Sequence, residues 1–173
     1  SCGAGRSELQ TGGRIGQDGS GLLGMEVGLK LRGIADRHMV VISGEGRTLD
    51  MGFGDFSSAF DRGQRVTFIV MDNQAYASSG SHKSPTTPYG ARTSIFTKGK
   101  HTHEKQVPLM MVFGGARYVA TATPAYVKDF VTKVQKALTL TPSYVQVLTP
   151  CQVSWHYPPE EGVRLSRSAV QTG

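Results

Sequence analysis

Two apolar runs stand out from an otherwise mixed chain. Met39-Val40-Val41-Ile42 ends in Ser43-Gly44-Glu45-Gly46, and Val66-Thr67-Phe68-Ile69-Val70-Met71 ends in Asp72-Asn73-Gln74-Ala75-Tyr76. Short runs rich in β-branched residues and closed by turn residues read as strands buried on both faces. Between them Phe53, Phe56, Ala59 and Phe60 recur at helical spacing, and Gly63 offers a C-terminal cap. These aromatics are read as core. Upstream, Leu22, Met25 and Leu29 recur in the same way from Ser20 to Arg32, with Gly33 as the cap and Gly21, Gly24 and Gly28 on a nearby packing face.

Downstream, the apolar stretch Pro108–Gly115 predicts a helix against the sheet, and Arg117–Ala122 a third strand. Thr123 is then expected to cap a helix with Pro124 at its first position. That helix carries Val127, Phe130, Val131, Val134 and Leu138 on one face, with Lys128, Asp129, Lys133 and Lys136 mainly on the other. Ser143–Leu148 reads as a fourth strand. Strand and helix in alternation predict an α/β fold, a mostly parallel sheet with helices on both faces.

Length is that of one domain. A chain this long buries roughly 70% of its unfolded surface. Residues 1–20 hold six glycines and no period, so they are read as an irregular arm ahead of one domain over 21–173. The segment Ser78–Glu104 is long for a structureless loop and is expected to lie over a ligand or against a partner subunit. Its His82, His101 and His103 have only Glu104 nearby, a weak basis for a metal site.

The formal charge of +6 is spread along the chain. With no nucleic-acid module and no block of like charges, it reads as a solvated surface attractive to acidic cofactors or partners. No apolar run reaches the roughly 20 residues that span a bilayer, and the N-terminal residues show no signal-peptide pattern. Cys2 and Cys151 are the only cysteines, which argues against a disulfide framework and for a reducing, cytoplasmic setting.

Both early strands end in turns that carry metal-type oxygens, which predicts a site at the carboxyl edge of the sheet. Gly44-Glu45-Gly46, followed by 26 residues and Asn73, resembles the diphosphate-and-magnesium motif of thiamine-diphosphate enzymes, where aspartate is usual in place of Glu45. By itself Gly-Glu-Gly reads as an ordinary strand-end turn. Over roughly residues 20–173 the chain also resembles the beta subunit of the 2-oxoacid:ferredoxin oxidoreductases. That likeness rests on Asp72-Asn73-Gln74-Ala75-Tyr76, Ser84-Pro85-Thr86-Thr87-Pro88-Tyr89-Gly90-Ala91, Thr149-Pro150-Cys151 and Trp155-His156-Tyr157-Pro158-Pro159-Glu160.

The resemblance implies that Gly44, Glu45, Gly46, Arg47, Asn73, Ala75 and Tyr76 lie at thiamine diphosphate. Mg²⁺ would be held by the Glu45 carboxylate, the Asn73 amide oxygen and the Ala75 carbonyl, hard donors at about 2.1 Å. Glutamate at 45 shifts the carboxylate by about 1.5 Å relative to aspartate. Ser78 stands where the family often has a substrate-facing asparagine, so it is the candidate catalytic residue. With Arg47 and Arg92 available, it is compatible with pyruvate or with a smaller or more acidic 2-oxoacid such as oxalate.

Cys151 resembles the C-terminal ligand of the family's [4Fe–4S] cluster and Cys2 an N-terminal one, which leaves two of four thiolates unsupplied. The implied activity is oxidative decarboxylation of a 2-oxoacid with one-electron transfers to ferredoxin and, in most members, capture of the acyl group by coenzyme A. The activating glutamate belongs to a pyrimidine-binding subunit, so the chain alone is expected to be inactive. Two other readings remain: the diphosphate-binding subunit of a non-redox decarboxylase such as sulfopyruvate decarboxylase, and a non-catalytic subunit of the same fold.

Overall fold

The computed structural model describes residues 18–34 and 37–172. Helix α1 (Asp18–Leu31) leads to strand β1 (Met39–Gly44), a π-helical turn (Arg47–Met51), α2 (Phe53–Asp61) and β2 (Val66–Asp72). A short ribbon, β3 (Ala75–Tyr76) and β4 (His82–Lys83), opens the long loop. Then come α3 (Val107–Phe113), β5 (Tyr118–Ala122), α4 (Val127–Thr139), β6 (Ser143–Leu148), the single turn α5 (Gln152–Trp155) and α6 (Gly162–Thr172).

The strands form one sheet in the order β1-β2-β6-β5, every pair parallel. Gly44 lies opposite Met71, Asp72 opposite Leu148, and Ala122 opposite Val147. Parallel register brings all four carboxyl ends to one edge, the edge at which ligands bind in such sheets.

Helices cover both faces, as expected. On one, Phe56 of α2 is fully buried, with its ring 4.8 Å from Phe68, 5.1 Å from Phe60 and 5.6 Å from Tyr144. Leu22 of α1 and Met111 of α3 join the same cluster. On the other, Phe130, Val134 and Ala137 of α4 pack on Ile69, Ala120 and Val145. Docking of α1 onto α2 is also polar. Asp55 Oδ2 accepts the Gly19 N–H at 2.6 Å and the Ser20 N–H at 2.9 Å, so a carboxylate from α2 caps the start of α1.

Three expectations need correction. Helix α1 begins at Asp18, inside the segment expected to be an irregular arm; the rest of that arm lies outside the described residues. Helix α4 begins at Val127 with Tyr126 before it, not at Pro124. The Tyr126 N–H donates to the Thr123 carbonyl, so Thr123 closes a separate turn ahead of the helix. The packed stripe of α4 is 130-134-137, and Val127, Val131 and Leu138 face outward. Among the described residues no helix is long and apolar enough to cross a membrane.

Candidate functional site

Glu45 is the first residue past β1, and Asp72 is the last of β2, the neighbouring strand. Parallel pairing therefore sets their carboxylates side by side. Glu45 is only 3% exposed. The Ser84 side chain and the Asn73 backbone N–H lie close enough to favour its ionised form, so the two turns face each other. Its Oε1 is buried and has no hydrogen-bond partner among the described residues. Burial first, and then the neighbouring Asp72, push its pKa up to about 7.

Asp72 is held on every side. Its Oδ1 accepts the Gln74 N–H at 2.9 Å and the Thr86 hydroxyl at 2.6 Å, and its Oδ2 accepts the Gln146 amide at 2.6 Å. Burial still raises its pKa. The following turn is tight: Asn73 Oδ1 accepts the Ala75 N–H at 2.9 Å, and Gln74 takes a left-handed φ of 63°. Trp155 Nε1 donates to the Asn73 carbonyl at 2.8 Å and ties α5 to the turn.

Tyr76 links the two turns. Its hydroxyl donates to Asp50 Oδ2 at 2.5 Å, and its ring fills the space beside Gly46, where a Cβ would lie 2.0 Å from Tyr76 Cε1. Gly46 is thus required by the tyrosine. Among the described residues, Gly44 has nothing within 4 Å of where its Cβ would point, which leaves room there for a ligand.

The long loop is locked by Lys100. Its buried ammonium donates to the carbonyls of Thr87 at 2.7 Å, Pro85 at 2.8 Å and Ser84 at 3.3 Å. Burial pushes its pKa down. Thr87 in turn donates to the Gln74 carbonyl at 2.5 Å. Ser84, Thr86 and Thr87 thereby brace Glu45, Asp72 and Gln74, and the loop lies over the site.

Of the other residues singled out in the sequence, Arg47 is half-buried at the start of the π-helical turn, and Ser78 is exposed in the short turn after Tyr76. Arg92, His82, His101 and His103 are exposed, with His103 stacked on Tyr89 at 5.0 Å. Cys151 is a free, partly buried thiol just past β6, at the same sheet edge as the two turns. Cys2 lies outside the described residues. Among the described residues no three His, Cys, Asp or Glu side chains cluster as a metal site.

The magnesium set inferred above contains only one carboxylate, and the geometry is compatible with it. Glu45 has a buried oxygen without a partner, beside a second carboxylate and facing the Asn73 turn, which a hard cation would relieve. Asp50, Asp72, Ser84, Thr86, Thr87 and Lys100 take their roles from the fold, not from any motif of the chain. The signal for Asp72 was its place at a strand end beside Asn73.

The description "Thiamine pyrophosphate enzyme, C-terminal TPP binding domain" matches residues 9–147. The chain belongs to the thiamine pyrophosphate enzyme family. It is 38% identical over 156 residues to pyruvate synthase subunit PorB of Methanothermobacter marburgensis, covering 87% of itself and 54% of that protein. It is 36% identical over 165 residues to ketoisovalerate oxidoreductase subunit VorB of Pyrococcus horikoshii, covering 89% and 53%. The fold matches the 2-oxoglutarate:ferredoxin oxidoreductase of Magnetococcus marinus with a TM-score of 0.76, at 23% identity, over 89% of this chain and 50% of that one. The chain thus spans about half the length of the relatives it matches. The resemblance to 2-oxoacid oxidoreductase subunits and the α/β fold are both borne out.

Proposed function

We propose that this chain is the coenzyme-holding part of a beta subunit in a 2-oxoacid:ferredoxin oxidoreductase. The observation that carries the reading is the buried Glu45 carboxylate beside the Asn73 turn, one of whose oxygens has no hydrogen-bond partner among the described residues. Glu45, the Asn73 amide oxygen and the Ala75 carbonyl would hold Mg²⁺, and the open side of Gly44 would admit the diphosphate. The Asn73 oxygen already accepts one hydrogen bond, and its second lone pair remains for the metal. When bound, thiamine diphosphate supplies the nucleophilic carbon that adds to the 2-oxo group and an electron sink for decarboxylation.

The chain's own residues bind and orient. Asp72, locked by Thr86 and Gln146, fixes the strand end beside the ion. Tyr76 and Asp50 set the spacing of the two turns. Ser78 would donate its hydroxyl to the substrate, a pyruvate-like 2-oxoacid, with Arg47 near the coenzyme. Cys151 would ligate a [4Fe–4S] cluster together with Cys2 and thiolates from elsewhere. The remaining machinery is assigned to partners: a pyrimidine-binding subunit, ferredoxin as electron acceptor, and coenzyme A as acyl acceptor, in the cytoplasm. Oxidoreductase names among the relatives favour this over the non-redox decarboxylase.

Thermal shift of the assembled complex with thiamine diphosphate and Mg²⁺ tests the reading. At a hundredfold excess over Kd, binding adds about 2.7 kcal/mol of stability. The expected result is a Mg²⁺-dependent shift lost in Glu45→Gln. No shift in the unaltered complex overturns it. Visible absorbance that disappears in Cys151→Ala supports the cluster, and no visible band rejects it.

A further inference from the structure

The turn after β2 holds an unfavourable conformation by gripping both peptide planes around Gln74. Gln74 has a φ of 63°, a left-handed value that a side chain disfavours and that persists only where neighbours over-determine it. The peptide between Asn73 and Gln74 is bound at both ends. The Gln74 N–H donates to Asp72 Oδ1 at 2.9 Å, and the Asn73 carbonyl accepts the Trp155 indole N–H at 2.8 Å. The peptide between Gln74 and Ala75 is bound likewise. The Ala75 N–H donates to Asn73 Oδ1 at 2.9 Å, and the Gln74 carbonyl accepts the Thr87 hydroxyl at 2.5 Å.

Three of these four hydrogen bonds come from the turn itself or from the long loop. The fourth comes from the tail, 82 residues away in sequence. Trp155 is the only tryptophan of the chain, and its position is fixed. Its backbone N–H donates to the Cys151 carbonyl at 3.0 Å, Ser154 before it is buried, and His156 after it meets Ser94 of the long loop at 3.1 Å. The Thr149 N–H donates to the Asp72 carbonyl at 2.8 Å, so the tail is also pinned to the end of β2. An indole has one N–H and no acceptor. The contact therefore selects one orientation of the Asn73–Gln74 peptide, because a flipped peptide would turn its own N–H toward the indole N–H.

Such a flip would also carry the Gln74 N–H away from Asp72 and release Gln74 from its left-handed φ. The Asn73 amide and the Ala75 carbonyl, the two oxygens this turn would offer to a cation, would then lose their fixed spacing. We propose that Trp155 is a positioning residue for the cation turn. Its N–H holds the peptide that sets Asn73 and Ala75, acting through the backbone and not on the cation itself. The cation rests on the function proposed above; the hold on the turn does not.

Two replacements in the assembled complex test the inference. Trp155→Phe keeps an aromatic ring and loses the N–H; benzothienylalanine at position 155, with sulfur in place of the N–H, keeps the shape as well. Without ligand, both are expected to speed amide exchange at residues 74 and 75 about tenfold, with the protection of β2 and β6 unchanged. The Mg²⁺ concentration that half-saturates coenzyme binding is expected to rise about tenfold, the equivalent of one hydrogen bond. At saturating Mg²⁺ kcat is retained. Unchanged exchange at residues 74 and 75, an equal loss of protection in β2 and β6 with the isosteric replacement, or an unchanged Mg²⁺ requirement overturns the proposal. If the unaltered complex shows no Mg²⁺-dependent coenzyme binding, the reading of Glu45 fails, and exchange at residues 74 and 75 alone decides whether Trp155 holds the turn.

Discussion

Glu45 is where burial and charge conflict most. Its pKa is raised from 4.5 to about 7, and that of Asp72 is raised as well. Between those values the unfolded chain has released the Glu45 proton and the folded chain still holds it, so folding stability falls as pH rises. A shift of this size corresponds to something on the order of 3 kcal/mol, fully present below pH 4.5 and lost by about pH 7. His38, whose pKa is lowered by burial, acts in the opposite sense. The comparison with Glu45→Gln therefore isolates the effect. Melting temperatures of the ligand-free chain from pH 4.5 to 8 should fall less steeply in the variant, and saturating Mg²⁺ with coenzyme should flatten the slope in the unaltered chain. Gly46 makes a second prediction. A Cβ there would lie inside the Tyr76 ring, so Gly46→Ala must expel the tyrosine, freeing Asp50 and separating the turns. Coenzyme affinity should drop at least tenfold, read by titration, whereas Gly44→Ala meets no atom of the described residues and should affect only ligand approach.

The strands and helices arise from local pattern, and the long loop does not. Val66–Asp72 is buried almost throughout, and its apolar run announced it. The helix of residues 53–61 likewise showed its buried face through Phe56, Ala59 and Phe60. Lys100 was illegible because a lysine among Gly, Thr and His reads as solvated. Its burial is decided by three carbonyls that only the folded loop brings together. The start of α4 differs from its sequence signal for a related reason: Thr-Pro is a good helix opening, but here the Thr123 carbonyl is taken by the Tyr126 N–H in a turn of its own. The turns of the site were legible as strand ends, while their mutual bracing through Ser84, Thr86 and Thr87 was not, since each hydroxyl finds its partner across the chain. The lysine lock is testable. Lys100→Met leaves buried carbonyls without a donor, at about 1–3 kcal/mol. Because those carbonyls belong to the loop that braces Glu45 and Gln74, the variant should also weaken coenzyme binding and speed amide exchange at residues 84–87. Exchange measured by NMR or mass spectrometry should leave the protection of β2 and β6 intact. Uniform loss of protection would instead make Lys100 a residue of the global core.

The chain's apolar surface is not all inside. β1 is an edge strand, and on it Ile42 is 64% exposed, with Val40 and Met71 exposed beside it on the face that α4 leaves uncovered. On the opposite face, α3 turns Leu109, Val112 and an 89% exposed Phe113 outward. Contiguous apolar patches of this kind mark surfaces that meet other protein, in keeping with relatives that are named as subunits. Phe113 is the sharper probe because of its place in the fold. It ends α3 just ahead of β5, at the amino edge of the sheet, whereas Glu45 and the Asn73 turn lie at the carboxyl edge. A substitution there cannot touch the coenzyme turns directly. Phe113→Asp removes an exposed ring and should change the stability of the isolated chain by no more than about 0.5 kcal/mol. Co-purification with partner subunits and 2-oxoacid oxidation should fall together, while coenzyme titration of the isolated chain stays unaltered. Activity that survives with the complex intact would place the partner against the uncovered side of β1 instead, and Ile42→Lys would then be the disruptive substitution.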